Sequence, residues 1–483
     1  MRRDDDPKAT TPFPLYPVSN GEWMPKGPTK KQLATMKLVA EETEKQARRH
    51  GMSRAQFLRT AAGTATAFWV MNHVHGLAQT GDAAVLPVRK EQCEDLDGAR
   101  ELLDRKMFIM DVQTHHADVE KFGAQACFLR FVREEGEPRC QDDPSILGQF
   151  NYIKEMLVDS QTSLSVLSGL PYGVPQGPAN IRSTRDLVNQ IAGSERCISQ
   201  AIVDPLAPSG AETHLDTLEQ QVLEFGGRAL KTYTYSYGGW RLDDENVAFP
   251  LLQQAQDLGL ELVNTHKGLP AIFAPGSEQS VRTTDYPGVV RAFPKLKFCA
   301  YHSGYFSDAD DHPENKQGVT EFIEQLAKMT KKERRRMYAE IGTTYALTMS
   351  QGGDAPAHLI GQLLLALGPK NILWGTDSIW WGSPQFMIDH FKTLEIPARL
   401  QEQFGYPALT DKIKRRILGL NAARVYKVSP RERRCTIPED QITQMQVAQG
   451  GFRAERSLRV YGARTRREFL RMFGPKGGAN HFA

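Results

Sequence analysis

Cysteine is scarce in this chain: six in 483 residues, widely scattered, with no Cys-x-x-Cys pair. That excludes a zinc ribbon and a dense disulfide framework, and leaves one or two bridges open if the protein works outside the cytoplasm. Long apolar runs are missing too; none approaches the ~18 consecutive residues that a membrane-spanning helix needs. Neither sign of charge dominates. The formal net charge is +3, so the basic stripe of a nucleic-acid binder is absent. No glycine-rich phosphate fingerprint follows a strand-like run, which disfavours a dinucleotide-binding open sheet. What is present suits a soluble globular protein: 40% hydrophobic and 24% charged residues.

Three regions differ in texture. Residues 1–98 form an N-terminal extension. Its first 28 residues are rich in Pro, Gly and charge and predict no regular structure. Thr29–His50 reads as a charged helix that Gly51 stops. Ser53-Arg54-Ala55-Gln56-Phe57-Leu58-Arg59 precedes an apolar, Ala-rich stretch from Thr60 to Met71, and Gly76-Leu77-Ala78 follows. Basic start, short apolar core and small-residue end, over residues 53–78, resemble a twin-arginine export signal. Ala55 stands in place of the second arginine, and the motif begins some fifty residues from Met1. Export to the periplasm is one expectation; a buried helix in a cytoplasmic protein is the other.

Residues 99–427 alternate short apolar strands with amphipathic helices. The strand candidates are Phe108–His115, Ser163–Leu167, Ile198–Asp204, Ala229–Tyr233, Glu261–His266, Lys297–His302, Met337–Ile341 and Ile372–Asp377. Between them, Glu212–Phe225, Val247–Leu258, Gly318–Lys328 and Ala357–Leu367 read as helices. Strands separated by helices imply parallel βα units, and a (β/α)₈ TIM barrel satisfies the count while leaving no sheet edge. Residues 428–483 form a basic C-terminal extension, expected either to cover the barrel as an amphipathic helix or to stay solvated. Thr465-Arg466-Arg467-Glu468-Phe469-Leu470-Arg471 looks like an export motif but cannot act as one at a C-terminus.

The chemistry-bearing residues sit at strand ends, where a parallel barrel gathers its catalytic groups. The first strand runs Asp111-Val112-Gln113-Thr114-His115, and alternation places its three polar side chains on one face. Three later strands end in His266, His302 and Asp377. Each histidine alone reads as a hydrogen-bonded core residue; four endings of this kind in strand order read as a metal-dependent active site.

These stretches resemble the amidohydrolase superfamily, in its amidohydrolase-2 branch of hydrolases and aromatic-acid decarboxylases. The likeness is carried by Asp111-x-Gln113-x-His115, Val203-Asp204-Pro205, Leu258-Gly259-x(6)-His266-Lys267-Gly268, Tyr301-His302-Ser303-Gly304, Trp374-Gly375-Thr376-Asp377 and Asn421-Ala422-Ala423-Arg424. It implies one divalent metal ion, zinc or the harder manganese, held by Gln113, His115, His266 and Asp377. His302 is implied as the proton-transfer residue, with Asp377 both ligand and catalytic. Gln113 departs from the family pattern, which usually has a histidine there and in some members a glutamate, and a neutral amide oxygen is the weaker zinc donor.

Lys231 on the fourth strand is read as an ion-pair or substrate-carboxylate residue, with a carboxylated metal bridge as the superfamily's alternative. Glu340 is read as a buried partner. Tyr233, Trp380 and their aromatic neighbours suit a flat substrate, and Arg241 and Lys267 are candidates for a substrate carboxylate. Three functions stay open. One is metal-dependent hydrolysis of a small ester, lactone or amide. The second is non-oxidative decarboxylation of a small aromatic or unsaturated acid. The third is a non-catalytic binding protein with a degenerate site. All three take a small-molecule ligand, without nucleic acid or a membrane span; a homodimer is an open alternative to a monomer.

Overall fold

Short runs of alternating apolar residues build the central sheet. The computed structural model describes residues 11–13, 15, 27–76, 84–123, 132–134, 144–174, 176–269, 278–306, 319–453 and 458–460. The strands are β1 (Met110–Thr114), β2 (Leu164–Leu167), β3 (Cys197–Ser199, continuing as Ala201–Ile202), β4 (Leu230–Tyr233), β5 (Leu262–Gly268), β6 (Lys297–Tyr305), β7 (Met337–Glu340) and β8 (Ile372–Leu373). Each pairs in parallel with the next.

Two joints close the ring. At the break in β3, the Gln200 N–H donates to Leu167 O (3.0 Å) while the Ala201 N–H donates to Ala229 O (2.8 Å). Past the end of β8, the chain runs along β1. Val112 N–H donates to Trp374 O (3.0 Å), Asp377 N–H to Gln113 O (2.9 Å) and His115 N–H to Ser378 O (2.7 Å). The eighth strand therefore meets both β7 and β1, and the sheet is a (β/α)₈ barrel. Regular pairing of β8 stops at Leu373 rather than at the expected Asp377, and Asp377 itself takes a left-handed backbone, φ +60°, outside strand geometry. Met110, Val112, Val166, Ala229, Leu262 and Leu373 cluster inside the barrel, whereas Ile109, Leu167, Val263 and Phe298 pack outward against the helices.

The N-terminal extension is a helical layer docked beside the barrel. Helix α1 (Lys30–Arg49) begins with a capping box between Thr29 and Gln32, and the Gln32 Nε2 also donates to Ser350 O (2.6 Å). The export-like stretch is folded. Ser53 and Gln56 form a second capping box that opens α2 (Arg54–Leu58): Gln56 N–H donates to Ser53 Oγ (3.2 Å) and Ser53 N–H to Gln56 Oε1 (2.9 Å). Helix α3 (Ala61–Val74) is buried nearly throughout. Phe68 meets Phe13 and the edge of His390, and Phe13 stacks on Phe386 at 5.7 Å. Leu77 and Ala78 lie outside the described residues, as do Thr465–Arg471 and most of the first 28 residues. Phe68→Ala is expected to cost about 3–5 kcal/mol in urea unfolding, the usual range for emptying a fully buried phenylalanine site. A change under about 1 kcal/mol would mean that α3 is only loosely attached.

The C-terminal extension also packs. Helices Pro430–Thr436 and Gln441–Ala448 lie against the N-terminal end of the barrel. Asp440 caps the second of them through the Thr443 N–H (2.9 Å) and pairs with buried Arg196 at 2.8 Å. Cys93, Cys197 and Cys299 are buried free thiols; Cys127 and Cys140 lie outside the described residues.

Candidate active site

The barrel's C-terminal mouth brings together Gln113 on β1, His115 just after it, His266 on β5, His302 on β6 and Asp377 after β8. Asp377 is the hub. Its Oδ1 lies 3.2 Å from His115 Nε2 and accepts from Gln113 Nε2 at 3.0 Å. Its Oδ2 accepts from Thr343 Oγ1 at 2.5 Å. Gln113 Nε2 also faces His302 Nε2 at 3.4 Å, and the His302 and His266 rings meet edge to face at 4.6 Å. Residues from four separate strand ends thus share one small volume.

Backbone strain concentrates here. His302, Ser303 and Asp377 all have positive φ (63°, 53° and 60°), a region that costs a non-glycine residue of order 1–3 kcal/mol and is kept where function over-determines it. Glu340 supplies the counter-force. Its Oε2 accepts from the His302 N–H (3.0 Å), its Oε1 from the Gly342 N–H, and Ser303 Oγ donates to its carbonyl (2.7 Å). Gly375 is required for this arrangement: a Cβ there would sit 2.1 Å from Glu340 Oε1 and 3.1 Å from Gln113 Cβ. Asp111 works from the other side, accepting from the Thr376 and Gln113 N–H groups at 3.1 and 3.2 Å. It braces the β1–β8 seam, and the pairing of β1 with β2 slips between Asp111 and Thr114.

Burial sets the protonation states. It drives His302 down to about 4 and lowers His266 and His115, so all three imidazoles are neutral at pH 7. Burial acts against ionisation of Asp377 as well, but the His115 hydrogen bond and nearby imidazoles outweigh it and hold the carboxylate ionised. Burial pushes Asp111 and Glu340 up to about 8. Lys231 is pushed down to about 7 by burial, against the pull of Asp377 and Glu340. Its Nζ lies 3.8 Å over the Tyr301 ring and 4.4 Å over the Tyr233 ring, without a hydrogen-bond partner among the described residues.

Neutral imidazoles beside an ionised carboxylate are the donor chemistry of a divalent-metal site. Gln113 Oε1, buried and unpartnered, is a spare oxygen donor. The side chains are not already set as a cage: among the described residues no three His, Cys, Asp or Glu groups are placed to hold an ion. His115 and Asp377 are in contact, whereas His266 Nε2 is turned to the Leu269 carbonyl at 3.2 Å.

Trp380 stacks flat on His115 at 5.7 Å, and Tyr233 and Tyr235 flank His266. Two expected substrate residues are committed elsewhere. Lys267 is fully buried in an ion pair with Asp285 (2.6 Å) and also donates to Ser280 O (2.7 Å). Arg241 forks onto Asp243 (2.8 Å) and reaches Thr284 (3.1 Å) at the surface. Sequence reasoning passed over Thr343 and Gln176. Thr343 follows β7 in Gly342-Thr343-Thr344, a strand-end position that could have flagged it. Gln176 is fully buried and reaches toward His115, and neither amide atom makes a well-formed hydrogen bond.

A closed parallel barrel with imidazoles and a carboxylate converging at its strand ends defines a class of barrel enzyme. The chain belongs to the amidohydrolase family, a family of metal-dependent enzymes, which it matches over residues 184–428. Among curated proteins none matches its sequence at a significant level. Solved structures that it is similar to include the following three. One is an uncharacterized TIM-barrel protein of Bordetella bronchiseptica (14% identity, 66% of this chain and 99% of that one, TM-score 0.44). Another is 5-carboxyvanillate decarboxylase LigW of Sphingomonas paucimobilis (14%, 67% and 100%, TM-score 0.41). The third is 4-oxalomesaconate hydratase LigJ of Rhodopseudomonas palustris (15%, 71% and 99%, TM-score 0.41).

Proposed function

We propose that this amidohydrolase is a metal-dependent hydrolase of a small ester, lactone or amide. The observation that carries the reading is the meeting of His115, Gln113, His302 and Asp377 at one point of the barrel mouth. A divalent ion, zinc or alternatively manganese, would be held by His115, His266, Asp377 and the Gln113 oxygen; when bound it supplies Lewis acidity and an acidified water. The chain's own groups do the rest. Asp377, ionised and aimed by Thr343, accepts a proton from attacking water. That proton then passes through His302, neutral and fixed through its backbone by Glu340, to the leaving group. Trp380 and Tyr233 exclude water and offer flat apolar walls.

A second reading, decarboxylation of a small aromatic or unsaturated acid, draws support from Lys231. An unpartnered amine between two tyrosine rings suits a substrate carboxylate. Export belongs to the same set of proposals. N-terminal sequencing of the natural protein checks it: a chain starting near Gln79 supports export with cleavage of the signal-like stretch, whereas retention of Ser53–Met71, which the burial of α3 favours, supports the cytoplasmic alternative.

The deciding experiment pairs metal analysis of the purified protein with product assays. Hydrolysis predicts a stoichiometric ion, lost in Asp377→Ala, and acid release from lactones or esters. Carbon dioxide release from benzoates instead selects the carboxy-lyase. Absence of metal after metal-replete growth, with neither activity, selects a non-catalytic binding protein.

A further inference from the structure

The opposite end of the barrel holds a second concave site. The residues leading into β1, β2 and β3 face the C-terminal extension across a cavity of about 530 Å³, within the usual range for small-molecule sites. Its walls carry Lys106, Arg196, Arg415 and Arg433, with no aspartate or glutamate among the described lining residues. Phe108 on the barrel side and Phe452 on the extension side supply aromatic surface.

The charges are only partly answered. Arg196 pairs with Asp440 and Arg433 with Glu195. Arg415 reaches the Lys106 carbonyl (3.3 Å), and neither Arg415 nor Lys106 has a carboxylate partner among the described residues. Arg196 has a side chain only 2% exposed, yet among the described residues its Nε has no hydrogen-bond partner, and the buried Nε of Arg433 has none either. Unsatisfied buried donors in a cationic, partly aromatic cavity favour an anionic group on an apolar body.

We propose that this cavity binds a small organic anion: a carboxylate, sulfonate or phosphate on a flat apolar frame, at a site separate from the mouth. One wall of the site lies beyond the family match. The family match ends at residue 428, and Pro430, Arg433, Thr443 and Phe452, all beyond it, form one wall. The other wall includes Phe108, just ahead of β1 (Met110–Thr114), so an occupant would press on the segment that leads to Gln113 and His115.

The test is fluorescence titration of the full chain with 8-anilinonaphthalene-1-sulfonate, with uncharged N-phenyl-1-naphthylamine as control. Saturable binding at a single site is expected, weaker by roughly tenfold or more in Lys106→Glu and Arg415→Glu. These residues rim the cavity and are exposed, so the fold should survive. His302→Asn should leave the titration unchanged, which separates this site from the mouth. Equal binding of the uncharged probe, or indifference to both charge reversals, overturns the proposal. Binding that appears only after truncation beyond Arg453 also overturns it, because the cavity would then belong to the chain's own C-terminal segment.

Discussion

Replacing His302 with asparagine is expected to lower turnover by about 10²–10⁴-fold, the usual worth of a positioned proton-transfer group, while leaving metal content near wild type. Asparagine is the informative replacement because it tolerates the left-handed backbone that His302 adopts at φ +63°; alanine would add strain to the chemical loss. The expected division follows from the geometry. His302 Nε2 stands 3.4 Å from Gln113 Nε2 and reaches Asp377 through that amide, whereas His115 touches Asp377 directly at 3.2 Å. The measurement is kcat on whichever substrate the product assays reveal, with metal content on the same samples. Loss of metal together with activity would move His302 into the ligand set and require a different proton carrier.

Breaking the Arg196–Asp440 bridge is expected to have the largest effect on stability. Both side chains are 2% exposed and 2.8 Å apart, and burial lowers the Arg196 pKa against the pull of Asp440. Removing one partner strands a buried charge, which typically costs 3–5 kcal/mol. Asp440→Ala should therefore lower the urea-unfolding free energy by about that amount, and it also removes the cap of Gln441–Ala448. Arg196→Met combined with Asp440→Asn should cost far less: no unpaired charge remains, and asparagine still caps. If the single and double variants are equally unstable, packing rather than charge holds the extension to the barrel.

Much of the barrel was legible in the sequence because its signals are local. Alternating apolar residues gave the strands close to their observed limits, and Thr29 with Gly51 bracketed α1. The ends of the barrel were less legible. The residues after β8 pair with β1 through backbone groups, and side-chain alternation says nothing about such a contact. The export-like stretch shows how one local pattern serves two readings: Ser53-Arg54-Ala55-Gln56 is also a capping box. Lys267 and Arg241 looked available as charges on site-bearing segments, but their partners Asp285 and Asp243 are assigned only once the chain has folded.

The amino-acid sequence alone determined which chemical groups exist and in what order: imidazoles, a glutamine, a carboxylate and a lysine at the ends of successive strands. Residue type and periodicity are properties of the unfolded chain. The tertiary structure decided which of those groups meet and in what charge state. Asp377 is held ionised and the histidines neutral because burial and neighbours set proton affinities, and neighbours drawn from β1, β6, β7 and β8 come together only when the barrel closes.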